Sequence, residues 1–470
     1  MAETKPMWTP APEREGLGPL TGPRDFLDRV AASSPARLAM LAFVVAIALF
    51  TALLSLPIAA ADGQRTPFHE ALFTAVSAVT VTGLAIVSTP EHWTLFGQAC
   101  ILLGIFTGGL GTLTLASLLS LMVSRRLGLR GRLIAQEALN NSSRLGEVGE
   151  LLRIVIGTSV VIQGALGLVM AGRLTIRGEH PLVAAWHGVF YGISSFNNAG
   201  FVLHEAGAAE FAGDLWMLGP IGLGVFLGSL GFPVVLGILQ GGLRPSRWNL
   251  HVKLTITVSV VLLVAGAVLW GWMEWDNPRT LAGMPPWEKA VNAVFASINT
   301  RSGGFNVVDQ NAMEGTTLLL SDALMFAGGG SVSTAGGIKV TTLAVMFLAI
   351  VAEARGVDRV EAFGRTIPEG TMRVAVAVIM AAATWILVGC FLMLAFTDLA
   401  MDRVLFEVIS AFATVGLSTG VSAESGPAGA YILTVLMFTG RIGTITLASA
   451  LAVRQRIQLY HYPEERPIIG

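Results

Sequence analysis

The stretch that decides the fold is Phe406–Gly420, FEVISAFATVGLSTG. It begins with apolar, helix-compatible residues at helical spacing, Phe406, Ile409 and Ala413, then breaks into Thr414-Val415-Gly416, which is poor material for continuing a helix. Helix, break and glycine in that order predict a re-entrant hairpin. The same order stands at Phe73–Leu84 (FTAVSAVTVTGL) and Phe190–Phe201 (FYGISSFNNAGF), each with Ser four and Gly ten positions after the leading Phe. A looser copy, FASINTRSGGF at Phe295–Phe305, has a Phe-to-Gly interval one residue shorter and no Ser at the matching place. Gly83, Gly200, Gly304 and Gly416 are 117, 104 and 112 residues apart, so the chain is a fourfold internal repeat.

Working outward, 53% of the 470 residues are hydrophobic and 13% charged, and the mean hydropathy is +0.68, which suits lipid rather than water as solvent. Apolar runs of bilayer length alternate with compact charged loops. Each hairpin is flanked by two such runs: 37–57 and 93–123, 151–171 and 215–239, 250–272 and an interrupted run over 316–352, 372–396 and 430–453. The expected fold is an all-α integral membrane protein of four pseudo-symmetric helix–pore-loop–helix units. Eight transmembrane helices and four re-entrant pore helices would surround one ion pore. The units are 37–130, 131–245, 246–358 and 359–470, preceded by a proline-rich flexible cytoplasmic tail over 1–36.

Basic residues set the orientation. Arg125, Arg126, Arg130, Arg132 and Arg144 lie between units one and two, and Arg244, Arg247 and Lys253 in the next connection. Arg355, Arg359, Arg365 and Arg373 follow unit three, and Arg454 and Arg456 the last run. The positive-inside rule makes these loops and both termini cytoplasmic in a multi-pass protein of the cell membrane, so the hairpins enter from outside. The outer loops carry Glu91, Glu205, Asp309, Glu314, Asp398, Asp402, Glu407 and Glu424, diluted by Arg173, Arg177 and Lys289; an acidic vestibule there would concentrate cations. The net charge of -1 and the dispersed basic residues exclude nucleic acid as a partner. Cys100 and Cys390 lie in apolar runs and read as small buried thiols.

Backbone that is neither helix nor strand survives at membrane depth only when buried in protein or lining a watery path, so four such segments call for a shared axis. Short helices entering from outside end with their partial negative charge at mid-membrane, where peptide oxygens can replace a cation's water shell. The candidate ring is Thr82-Gly83, Ala199-Gly200, Gly303-Gly304 and Val415-Gly416, with Val81, Asn198, Ser302 and Thr414 one layer deeper. A dehydrated cation would be bound there, through backbone carbonyls. His69 and His187, each ahead of a hairpin, read as interfacial hydrogen-bonding groups, Asp322 as lying at the outer boundary, and the tryptophans, including Trp93, Trp216, Trp270 and Trp287, as interfacial belts. No Ser-His-Asp, His-Glu-x-x-His or CxxC arrangement is present, so no enzymatic chemistry is expected.

The motifs TVTGL, SSFNNAGF, TRSGGFN and SAFATVGLSTG, together with GGGSVSTAGGIKVTT in unit three, resemble those of the potassium-transporter superfamily comprising the KtrB, TrkH and HKT types. The likeness runs from Arg37 to the end and is strongest to the KtrB type, because a single span precedes the first hairpin. The resemblance implies a potassium-translocating subunit working as a homodimer, each chain with its own pore, with sodium as a candidate activator. It further implies a cytosolic KtrA-like regulatory ring; no dinucleotide fingerprint occurs in this chain, so ATP/ADP or NAD would bind the partner and this chain would hold no organic cofactor. Two positions depart from the family pattern: Ser302-Gly303 replaces a common Thr-Ala, and Val332 stands where glycine is common.

The interruption over 325–342, rich in glycine and small hydroxyl residues, opens the last helix of unit three into a loop. The resemblance makes it an intramembrane gate under the filter, built from Gly328, Gly329, Gly330, Ser333, Thr334, Gly336, Gly337 and Lys339, the lysine either snorkelling or paired. Arg441, mid-span in FTGRIGTITL, costs at least about 2.5 kcal/mol on insertion scales unless it meets a partner or water. It is therefore expected to face the pore, hydrogen-bond carbonyls of the gate loop and hold the pathway closed. The rival readings are an ion-coupled secondary transporter, of the related TrkH type or for another solute, and a membrane-embedded enzyme or receptor. The first predicts inverted repeats, whereas all four units here share one orientation; the second lacks a convergent chemical set.

Overall fold

The computed structural model describes residues 35–126, 147–242 and 244–453. The tail 1–34 and the loop arginines Arg130, Arg132, Arg144, Arg454 and Arg456 lie outside the described residues. The described residues are mostly helical, with one antiparallel hairpin among them in which β1 (Glu361–Ala362) pairs with β2 (Arg365–Thr366).

Four groups of helices follow one another. The first holds α1 (Pro35–Leu54), α2 (Phe68–Val79) and α3 (Leu95–Arg126). The second holds α4 (Glu147–Ile176), α5 (Pro181–Phe196), α6 (Leu215–Leu230) and α7 (Phe232–Gly241). The third holds α8 (Leu250–Glu274), α9 (Pro286–Asn299), α10 (Gly315–Phe326) and α11 (Val340–Ala354), and the fourth α12 (Glu369–Phe396), α13 (Met401–Phe412) and α14 (Gly426–Val453). In each group the short helix α2, α5, α9 or α13 packs against its longer companions. Between groups, α3 packs on α5, α6 on α9, α10 on α13, and α14 back on α2, so the four groups close into a ring.

Packing explains why the repeat has a leading aromatic. Phe73, Phe190 and Phe406 are fully buried and Phe295 is 3% exposed, each fixing its short helix against its neighbours. The periphery has the opposite character: Leu168, Leu387 and Phe391 are at least 70% exposed, while Thr82, Asn198, Ser302, Thr414, Glu407 and Arg441 are within 2% of complete burial. Apolar outside and polar inside is the distribution a lipid solvent selects.

Among the described residues, Arg153–Ile176, Leu250–Glu274 and Glu369–Phe396 are long and apolar enough to cross a membrane. The bent pair Leu215–Leu230 and Phe232–Ile238 gives a fourth. Its 96° bend departs from the expected continuous run over 215–239. The cause is Gly231, whose φ of +88° lies in the left-handed region and whose added Cβ would sit 2.5 Å from the Ser331 carbonyl oxygen. The expected interruption in unit three lies between α10 and α11, leaving two shorter apolar pieces. Trp93 and Trp270 are not interfacial: both are 1% exposed core residues, whereas Trp216 and Trp287 are exposed.

Candidate functional site

The four short helices end at Val79, Phe196, Asn299 and Phe412, and their chains turn in closely similar ways. In the first, second and fourth, the N–H groups of Thr82, Ala199 and Val415 reach back five residues to the carbonyls of Ser77, Ser194 and Ser410, at 2.8, 2.7 and 2.8 Å. Such a wrapped end needs a left-handed residue. Here it is supplied by Val81, Asn198 and Thr414, at φ values of +57, +61 and +48°, followed two residues later by Gly83, Gly200 and Gly416, also at positive φ. The third turn is tighter: Gly303 N–H reaches back four residues to the Asn299 carbonyl at 2.8 Å, with Ser302 and Gly304 at +75 and +77°. That one-residue difference is the shorter interval visible in the sequence.

The shared serine ties each turn from inside. Ser77 Oγ donates to the Leu84 carbonyl at 2.7 Å and accepts the Gly83 N–H at 3.1 Å. Ser194 Oγ donates to the Phe201 carbonyl at 3.1 Å, and Ser410 Oγ accepts the Gly416 N–H at 3.1 Å. In the third turn Asn299 occupies the place where no serine was found; its Oδ1 accepts the Phe305 N–H at 3.2 Å. An amide replaces the hydroxyl and keeps a tie to the returning strand.

The turns meet one another in chain order. A Cβ on Gly83 would lie 2.2 Å from the Ala199 carbonyl oxygen, and one on Gly200 would lie 2.7 Å from Gly304 Cα. On Gly304 it would lie 2.8 Å from the Val415 oxygen, and on Gly416 2.0 Å from the Thr82 oxygen. Each glycine is thus required twice, for its dihedral and for the closeness of the next turn's backbone. Thr82, Ala199 and Val415 are fully buried beside these glycines, as are Asn198, Ser302 and Thr414 beneath them. Val81 and Thr414 are β-branched residues in a conformation that costs on the order of 1–3 kcal/mol, a strain maintained only where the surroundings over-determine it.

The segment joining α10 to α11 packs against these turns. Thr334 Oγ1 donates to the Phe196 carbonyl at 3.2 Å and lies 3.0 Å from Asn198 Oδ1, which accepts from the same hydroxyl. Ser302 Oγ accepts the Gly336 N–H at 3.2 Å and donates to the Thr414 carbonyl at 2.8 Å. The far side is held by α6 and α7: Gly330 N–H donates to the Ser229 carbonyl at 2.7 Å, and Phe232 N–H to the Val332 carbonyl at 3.1 Å. Gly328, Gly329, Gly330 and Gly336 all stand where a Cβ would strike neighbouring atoms within 2.5 Å. Gly337 has φ +66°, and Val332 adopts φ +59°, a conformation glycine would take without cost. Ser333 Oγ donates to the Gly330 carbonyl at 2.6 Å and Lys339 Nζ to the Ala335 carbonyl at 2.6 Å, so the lysine is held within the loop. Arg441, 2% exposed on α14, donates from Nη1 to the Thr334 carbonyl.

Sequence reasoning missed two residues that hold the returning strands. Glu407 is not part of an outer acidic rim: it is fully buried on α13. Its carboxylate accepts the N–H groups of Thr419 and Ser422, each at 3.1 Å, and the hydroxyls of Ser418, at 2.7 Å, and Ser422. The sequence pattern places it in an outer loop; the signal against that is the donor-rich LSTGVS that follows. Tyr191 stands at the matching place in the second turn, and its hydroxyl accepts the Leu203 N–H at 3.1 Å. Asp322 is 6% exposed on α10.

The chain as a whole is similar to proteins of recorded function. A sequence model of the TrkH family, described as cation transport protein, matches residues 32–457. The chain belongs to the TrkH family of cation transport proteins. It is 35% identical over 438 residues to the Ktr system potassium uptake protein B of Vibrio alginolyticus, covering 92% of this chain and 94% of that one. It is 33% identical to the potassium/sodium uptake protein NtpJ of Enterococcus hirae, covering 93% of this chain and 97% of the other. Among solved structures, the potassium transporter TrkH from Vibrio parahaemolyticus superposes with a TM-score of 0.68 over 86% of this chain and 83% of that one, at 17% identity. That likeness establishes a shared fold, and the family membership makes this a membrane transport protein.

Proposed function

We propose that this TrkH-family chain is the translocating subunit of a potassium uptake system, with K+ crossing the cell membrane through the ring formed by its four turns. The observation that carries the reading is the ring itself, in which a side chain on Gly83, Gly200, Gly304 or Gly416 would strike the backbone of the next turn. Peptide oxygens at such close quarters, at the C-terminal ends of four helices, suit a dehydrated monovalent cation. The family membership and the potassium-uptake relatives support the choice of ion. In this reading the four groups of helices are the pore units 37–130, 131–245, 246–358 and 359–470, and α1, α3, α4, α6–α7, α8, α10–α11, α12 and α14 are eight spans. The hairpins enter from outside, and the termini are cytoplasmic.

The loop between α10 and α11 is the gate. It closes the cytoplasmic side of the ring through Thr334, Ser302 and Thr414, and Arg441 holds it there by its bond to the Thr334 carbonyl. Opening requires that bond to break. The Ktr names of the relatives support a partner subunit, which we propose to be a cytosolic nucleotide-binding ring acting on a homodimer, with Na+ as activator.

The test is potassium uptake in cells lacking other uptake routes. The native chain restores uptake; Gly83→Ser, Gly304→Ser and Gly416→Ser each lose flux or discrimination against Na+, and Arg441→Gln raises flux. Native-like selective uptake by the three glycine variants would sink the ring, and native-like regulation in Arg441→Gln would sink the gate.

A further inference from the structure

Among the described residues, one cluster of metal-ligating side chains stands apart from the ring and the gate. Glu179 lies between α4 and α5, His187 two turns into α5, and His204 on the segment returning from Gly200. One ligand atom from each lies within 4.8 Å of the others. His187 Nδ1 is 2.9 Å from Glu179 Oε2, and His204 Nε2 is 2.9 Å from Glu179 Oε1. The side chains are 22, 16 and 9% exposed for Glu179, His187 and His204, so the cluster is sheltered yet reachable from solvent.

We propose that Glu179, His187 and His204 form a binding site for a first-row divalent transition metal, with Zn2+ the best-matched ion. Two imidazoles and one carboxylate, with a further position open to water, are a recurrent zinc donor set, whereas Mg2+ and Ca2+ call for oxygen ligands. The ring of His204 is already oriented from behind, as metal-bound imidazoles are, because its Nδ1 is hydrogen-bonded to the Tyr191 hydroxyl. Phe211 packs edge-on against His204 with centroids 4.9 Å apart, walling that side. Arg177, whose guanidinium stacks over Phe211 at 5.4 Å, is engaged by Asp214 at 3.3 Å and Glu210 at 3.7 Å, which offsets its charge.

Occupancy reaches the ion pathway through His204. Its Nδ1 is hydrogen-bonded to the Tyr191 hydroxyl, whose oxygen also accepts the Leu203 N–H at 3.1 Å. An ion that draws His204 toward Glu179 and His187 therefore pulls, through Tyr191, on the segment three residues beyond Gly200. External Zn2+ therefore alters flux through the proposed pore; this coupling rests on the potassium reading, while the site itself does not.

The experiment is calorimetric titration of the metal-free full chain in detergent with Zn2+, repeated with His187→Ala and Glu179→Gln, and with Co2+ followed by its visible absorption. The native chain binds one equivalent more than either variant, or binds that equivalent at least tenfold more tightly; it develops a Co2+ band that the variants lack, and tenfold excess Mg2+ leaves both unchanged. Equal stoichiometry and affinity in native and variant chains overturns the site. For the coupling, micromolar external Zn2+ changes potassium uptake by the native chain and leaves His187→Ala unaffected; an equal response in both overturns it.

Discussion

The second and fourth turns differ from the first and third in what holds the strand that leaves them. One position after the leading phenylalanine stand Thr74, Tyr191, Ala296 and Glu407. Tyr191 and Glu407 each take the N–H of the third residue after the turn's glycine, Leu203 and Thr419, at 3.1 Å in both cases. Thr74 Oγ1 is buried without a hydrogen bond, and Ala296 has no polar group to offer. The turns contact one another in the order one to four, so the two clamped corners face each other across the axis and the two unclamped corners do likewise. A fourfold repeat in sequence has become a twofold arrangement of rigidity. The inner ties are common to all four turns; the outer clamps are a property of alternate ones.

Substitutions can break this contrast at graded strength. The largest effect falls on what the turns share: Gly416→Ser places a Cβ 2.0 Å from the Thr82 oxygen in a backbone at φ +91°, and potassium uptake should fall at least tenfold. Next is Glu407→Ala, which strands the buried N–H groups of Thr419 and Ser422, the buried Ser422 hydroxyl and the half-buried Ser418 hydroxyl. A loss of about 3 kcal/mol or more is expected, seen as a lower unfolding temperature of the detergent-solubilised protein. Tyr191→Phe removes the single acceptor for Leu203 N–H and should cost about 1–2 kcal/mol in the same assay. Thr74→Val, nearly isosteric and replacing a buried hydroxyl that has no hydrogen bond, should not destabilise and should raise stability by about 1 kcal/mol. If Thr74→Val were as damaging as Tyr191→Phe, the distinction between clamped and unclamped corners would be wrong.

The glycines and the serine ruler were legible in the sequence because both act locally, through a dihedral or a bond across about seven residues. The shortened third copy was legible as an interval, though its cause, a four-residue rather than five-residue return to Asn299, was not. Val81 and Thr414 at positive φ leave no sequence signal, since β-branched residues are the last that local preference would place there; the neighbouring turns impose the conformation. The break in the second group followed from Gly231-Phe232-Pro233, yet an unbroken apolar run concealed it, because hydropathy records composition and not direction. Glu407 was misplaced for a related reason: its donors come from a segment that only the turn brings back. The bond from Arg441 to Thr334 joins residues 107 positions apart; sequence made a buried partner necessary, and the fold chose which carbonyl.

The central claim is that the peptide oxygens of four turns jointly hold one dehydrated monovalent cation. It is tested most directly by anomalous diffraction from crystals of this protein grown with Rb+ or Tl+ in place of K+. The account predicts ion density on the axis bounded by Thr82, Ala199, Gly303 and Val415, lost in Gly304→Ser. Density elsewhere in the protein with none on that axis would contradict it.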